Sequence, residues 1–317
     1  MNNDTNAADG SKWWQWAAPR LRRASGRPPR LGTGTWVIIA LLLIIVLATI
    51  LAPWISPYSP TAVSSAHLVG PGAQHLFGTD DLGRDVFSRT LWGGRVSLVS
   101  AALAVLMATI AGTALGLIAG YSHWLISSLI MRIMDIVLGF PALLLALLVL
   151  ATAGGGTLPE AIAISIAFVP VFTRVVYLSS LSIKQEGYVT AARVAGLRAA
   201  AIMRKHILPA VQAEVLVIMT SAFGWAILLA STLSFLGLGA QPPTPDWGAD
   251  LNAGQSYLVD GWWISLAPGI AITITILLVN LLGDQLAGGT RRGAVRRGAG
   301  ADTATVLTAA TSGTGEL

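Results

Sequence analysis

Five charged residues crowd one short stretch of the sequence. All lie in His75–Leu98, "HLFGTDDLGRDVFSRTLWGGRVSL": Asp80, Asp81, Arg84, Asp85 and Arg89, with Arg95 six positions further on. Mixed charge directly before a charge-free apolar run fits a polar network at the outer mouth of a membrane bundle; a merely solvated loop fits it equally. A second candidate is the intramembrane pair Arg132 and Asp135, three positions apart near the start of another apolar run. That spacing is one helical turn and suits a local ion pair, with a proton relay as the alternative. The third is "YVTAARVAGLRAAAIMRKHILPA", Tyr188–Ala210, rich in alanine and carrying Arg193, Arg198, Arg204 and Lys205.

Most enzymatic chemistry is missing from the sequence. The three lysines, Lys12, Lys184 and Lys205, follow Ser11, Ile183 and Arg204, so no Gly-Lys phosphate loop exists to cradle ATP. Neither a Gly-x-Ser-x-Gly elbow nor a His-Glu-x-x-His motif is present. There is no cysteine, and His67, His75, His123 and His206 have no metal-ligand spacing. The reading is a chain with no catalytic residues, cofactor or metal of its own.

What must position these groups is a membrane bundle. Of the 317 residues, 54% are hydrophobic and 11% charged, against roughly 25% charged in ordinary soluble domains. A spanning helix needs about 20 apolar residues. Six runs qualify: Thr35–Trp54, Val96–Ile118, Met131–Thr152 with Pro141 inside, Ala161–Leu178 with Pro170, Val215–Leu238, and Trp262–Leu282 with Pro268. Thr35–Trp54 is longer than a signal-peptide core and is read as an uncleaved span.

The net charge of +5 is an orientation signal rather than a nucleic-acid footprint. Six basic residues (Lys12, Arg20, Arg22, Arg23, Arg27, Arg30) precede the first run and four (Arg291, Arg292, Arg296, Arg297) follow the last. The 239–261 loop carries Asp246, Asp250 and Asp260 and no Lys or Arg. By the positive-inside rule both termini lie in the cytoplasm. The expected organisation is a basic tail at 1–34, the first helix and an extracytoplasmic segment at 35–95, a five-helix core at 96–286, and a disordered tail at 287–317.

Within Tyr188–Ala210 the sequence predicts a short helix over Thr190–Ala195, a bend at Gly196, and a second helix over Leu197–Leu208 ended by Pro209. From composition and spacing alone this could be a loop lying on lipid headgroups. The segment also resembles the cytoplasmic "EAA" loop of ABC importer permeases, with Ala191, Ala192, Gly196, Ile207, Leu208 and Pro209 in register and Thr190 where that pattern has glutamate. Further stretches are similar to the dipeptide/oligopeptide/nickel branch of those permeases: His75–Leu98, "MRIMDIVLGFPALLLAL" with Arg132, Asp135 and Pro141, "LSFLGLG", "PDWG", "PGIAI" and "NLLGD". Ala230 and Ser231 replace a usual Glu-Ala, and "LAGGTRR" replaces the usual ending; neither touches the architecture.

The resemblance implies an all-α fold of six transmembrane helices of the type I importer kind, in the cell membrane. It implies a permease subunit for di- or oligopeptides, with nickel or another small solute as the alternative. An autonomous secondary carrier is the competing class. The implied partners are a second homologous permease, two cytoplasmic ABC ATPases docking on the 184–210 loop, and an extracytoplasmic solute-binding protein.

Overall fold

In the computed structural model the backbone is described for residues 32–312 and the side chains for residues 32–287. The helices are α1 (Thr33–Ile50), α2 (Ala52–Ile55), α3 (Val86–Tyr121), α4 (Trp124–Leu138), α5 (Ala142–Ala153), α6 (Thr157–Ile183), α7 (Gly187–Val194), α8 (Ala199–Ile202), α9 (Leu208–Phe235), α10 (Trp247–Gly254) and α11 (Trp263–Ser312). Five helices are long and apolar enough to cross a bilayer, and the bent pair α4–α5 makes a sixth if it counts as one crossing.

Three boundaries depart from the sequence reading. The second span begins at Val86, not Val96, because Asp85 caps the helix by accepting from the Ser88 N–H. Its 36 residues run about 54 Å, well beyond a hydrocarbon core of about 30 Å. The charged stretch His75–Leu98 therefore runs into the projecting first turns of this helix. The third span is not one helix: α4 and α5 meet at 93°. α4 ends at Leu138 with Gly139 as its C-cap, and Pro141, with an extended ψ of 128°, caps the start of α5; a proline disfavours the α region for the residue before it, so the helix does not run through. At the other end, α11 runs as helix to Ser312, in place of the disordered tail expected at 287–317. The basic tail expected at 1–34 lies outside the described residues up to position 31, as do 313–317.

The densest packing joins α3 to α6. Between helices in lipid, close backbone approach replaces the hydrophobic driving force. Gly112, Gly116 and Gly120, spaced four apart, line the seam. A Cβ at Gly112 would stand 2.5 Å from Phe172 Cβ; at Gly116, 2.7 Å from the Thr173 carbonyl; at Gly120, 2.6 Å from Ser180 Cβ. The seam is therefore built backbone to backbone. Around it Ala101, Ala104, Ala108, Ile164, Phe172, Val176, Ile227 and Leu233 form the buried core.

Candidate functional site

Two places carry the sequence's candidate residues. The first is a buried polar clamp at the start of α3. Asp85 Oδ2 accepts from the Ser88 N–H (2.8 Å) and Oγ–H (2.6 Å), while its Oδ1 meets His75 Nδ1 at 2.9 Å. Asp80 accepts from the backbone N–H of Leu82 and Arg84 and pairs with Arg84 Nε at 2.6 Å. Arg89 reaches furthest: it donates through Nη1 to the Pro60 carbonyl (3.0 Å) and through Nε and Nη2 to Asp250 of α10. Asp81 does not join them. Its carboxylate faces the Tyr257 hydroxyl at 3.4 Å instead.

Asp250 was not legible as a partner, since 161 positions separate it from Arg89. Burial pushes the Asp250 carboxyl up to about 6, against the pull of the Arg89 guanidinium. Its Oδ2 is buried without a hydrogen-bond partner. Beside it α10 is locked to α3. Asp246 caps α10 through the N–H groups of Gly248 and Ala249 and accepts from Ser97 Oγ at 2.8 Å. Trp247 is fully buried and donates from Nε1 to the Thr90 carbonyl at 2.8 Å. Gly93 and Gly94 make room: a Cβ at Gly94 would lie 2.5 Å from the Trp247 ring.

Glu160, which the sequence reading placed in a loop, is also buried in this half of the bundle. It sits in the first turn of α6 and accepts from Ser100 Oγ of α3 (2.8 Å) and Ser234 Oγ of α9 (3.2 Å). One carboxylate thus ties three spans. A glutamate just ahead of an apolar run, with serines in two other spans, was the available signal.

The second place is the elbow between α6 and α9. Val189, Ile202 and Ile207 are buried and anchor it, Ala192 and Leu208 are half-buried, and Thr190, Ala191, Gly196 and Pro209 are exposed. Val194 is 84% exposed. The bend has a defined geometry. Gly196 has φ +79°, and its N–H bonds the Arg193 carbonyl while the Leu197 N–H bonds the Ala192 carbonyl. Those two bonds with a left-handed glycine are the Schellman ending of α7. A Cβ at Gly196 would meet nothing within 4 Å, so the glycine is required by its φ and not by crowding.

Pro209 does not end the second helix, contrary to expectation. Met203–Ile207 forms a π turn in which the Leu208 N–H reaches back to the Met203 carbonyl, and the rod continues into α9. Proline lacks the N–H for a normal bond and its ring clashes with the carbonyl four residues back. Widening the preceding turn relieves both. The Arg132–Asp135 pair is likewise corrected: Asp135 bonds Arg174 of α6, not Arg132.

Fold and sites together define a multi-pass membrane permease, with spanning helices clamped at one end and an exposed helical elbow. The chain belongs to the binding-protein-dependent transport system inner membrane components, whose family description matches residues 112–292. It is 44% identical over 249 residues, 78% of this chain and 84% of the relative, to a putative peptide transport system permease protein of Brucella suis biovar 1. It is 40% identical over 252 residues (77% and 83%) to the di/tripeptide transport system permease protein DppC of Pseudomonas aeruginosa. A glutathione transport system permease protein of Escherichia coli O6:K15:H31 is 42% identical over 254 residues (80% and 83%). The fold is shared with the inward-facing MetNI methionine ABC transporter at TM-score 0.52 and 15% identity, covering 64% of this chain and 96% of that one.

Proposed function

We propose that this chain is one permease subunit of an ATP-driven importer that moves di- or oligopeptides inward. The observation that carries the reading is the elbow at Thr190–Pro209. It is exposed, capped by a left-handed glycine and continuous with a spanning helix, in a chain with no phosphate loop of its own. Energy must then enter from a separate ATPase chain, and a firmly anchored helical knob is the element to receive it. The proposed assembly adds a second permease subunit, two cytoplasmic ABC ATPases and an extracytoplasmic solute-binding protein. The names of the relatives favour peptides over nickel.

Proteoliposomes holding the full assembly are expected to accumulate labelled di- and tripeptides only with binding protein outside and ATP inside. Uptake without the ATPase chains would overturn the reading in favour of an autonomous carrier; uptake of nickel alone would overturn the substrate.

Orientation follows from the Lys/Arg asymmetry: both termini inside, with the clamp and α10 outside. The chain lacks cysteine, so single replacements label without background. A cysteine at Asn252 is expected to react with impermeant maleimide in intact cells, and one at Ala309 to resist it. The reverse pattern refutes the orientation.

A further inference from the structure

The charged groups of α4 and α6 are not absorbed by the clamp or the elbow. Arg132 and Asp135 lie one turn apart on α4, and the Arg174 guanidinium of α6 bonds Asp135 across the gap. The paired side chains are 48% and 56% exposed. Arg132 is exposed and has no ion-pair partner among the described residues. Of α4, only Met134 is buried. Arg174 stands nine residues before the end of α6 at Ile183, about 14 Å along the axis. That depth lies within a helix long and apolar enough to cross the bilayer. Charged groups so placed do not face lipid tails: each costs about 2.5–3.5 kcal/mol there even on the insertion scale. This face therefore looks onto water or protein.

The three groups sum to one excess positive charge. Glu214 of α9 accepts from the Ser179 hydroxyl of α6 and forms no ion pair with either arginine. It leaves Arg132 unpaired. Two guanidiniums, one free and one held by a single carboxylate, suit a passing carboxylate, which arginine binds through paired N–H donors. We propose that Arg174 and Arg132 line the translocation path and bind the terminal carboxylate of the peptide, with Asp135 holding Arg174 in place between substrates. This rests on the peptide-importer reading above.

The test uses the full reconstituted assembly and compares uptake of trialanine with that of its C-terminal amide. All variants share one binding protein, so its own preference cancels in the ratio of variant to wild type. Arg174→Gln is expected to lower the acid-to-amide uptake ratio about tenfold, the size of one lost charge-assisted hydrogen bond. Arg132→Gln, at an exposed and unpaired position, is expected to lower it in the same direction with unaltered assembly. The swap Asp135→Arg with Arg174→Asp is expected to restore assembly but not the preference for the free acid. An unchanged ratio in both glutamine variants, or a swap that restores the wild-type ratio, overturns the proposal and leaves a structural pair. Wild-type assemblies that move neither peptide would instead overturn the peptide reading itself, and this proposal with it.

Discussion

Replacing Gly196 with valine is expected to abolish uptake while the bundle still inserts and folds. The cause is backbone conformation. Gly196 holds φ +79° with open space around it, so a side chain fits but the dihedral does not. A β-branched residue in that region costs on the order of 1–3 kcal/mol, enough to undo the two hydrogen bonds that end α7 and turn the chain toward α8. The core residues that anchor the elbow are untouched. The variant should therefore pair with its partner permease but fail to co-purify with the ATPases. Asparagine, which tolerates left-handed backbone, should retain most of the coupling at the same position. Equal loss in Gly196→Asn and Gly196→Val would mean that the glycine matters for something other than its φ. Normal ATPase binding in the valine variant would remove the elbow as the docking element.

Replacing Arg89 with alanine is expected to be the most destabilising single change in the clamp. It leaves Asp250 buried with its main countercharge gone. Breaking a buried pair from one side typically costs about 3–5 kcal/mol. Adding Asp250→Ala should recover a large part of that loss, because the stranded carboxylate is then removed as well. Thermal unfolding in detergent measures both. A loss below about 1 kcal/mol for Arg89→Ala would be the behaviour of a solvated surface pair and would reject the clamp.

The same site predicts a pH dependence. The Asp250 carboxyl is raised from 3.8 to about 6, so the folded state holds its proton more tightly than the unfolded chain does between those values. Stability from this group is greatest at the acid side of that window and falls as pH rises through it. Asp250→Asn should flatten the slope between about pH 4 and pH 6.

The spans were legible because bilayer thickness imposes a length of apolar sequence that nothing else requires. The charged cluster at the start of α3 was legible in part, because neighbours in the chain can pair locally: Asp80 pairs with Arg84 and lies 3.9 Å from Arg89, whereas Asp85 turns to His75 and Ser88 and Asp81 to Tyr257. Long-range partners were not. Nothing in the local pattern distinguishes Asp250, which pairs with Arg89, from Asp260 in the same acidic loop. Glu160 read as a loop acid because hydropathy averages over a window, whereas burial depends on Ser100 and Ser234 arriving from other helices. The prolines show the same limit. Pro141 breaks a span, Pro170 lies inside α6 without ending it, and Pro209 follows a π turn. The residue removes a hydrogen bond in every case, but what the chain does next is set by neighbours that the sequence does not place.

The π turn before α9 has a mechanical consequence. From Ala199 to Phe235 the chain is one rod of 37 residues, about 55 Å long. Its cytoplasmic tip, on the proposed orientation, adjoins the elbow, and its opposite end holds Ser234 against Glu160. With a pivot near the middle, a tilt of about 5° shifts each tip by about 2 Å, a large fraction of the 3.2 Å between Ser234 Oγ and Glu160. On the proposed function, a stroke at the elbow would be delivered as a lever to the far side of the membrane, with no second joint to absorb it. The wide turn also sets the lever's azimuth. Each helical residue advances the direction of a side chain by about 100°, so deleting one residue from Met203–Ile207 would point the elbow at a different quarter of the cytoplasm while leaving the span below it in register.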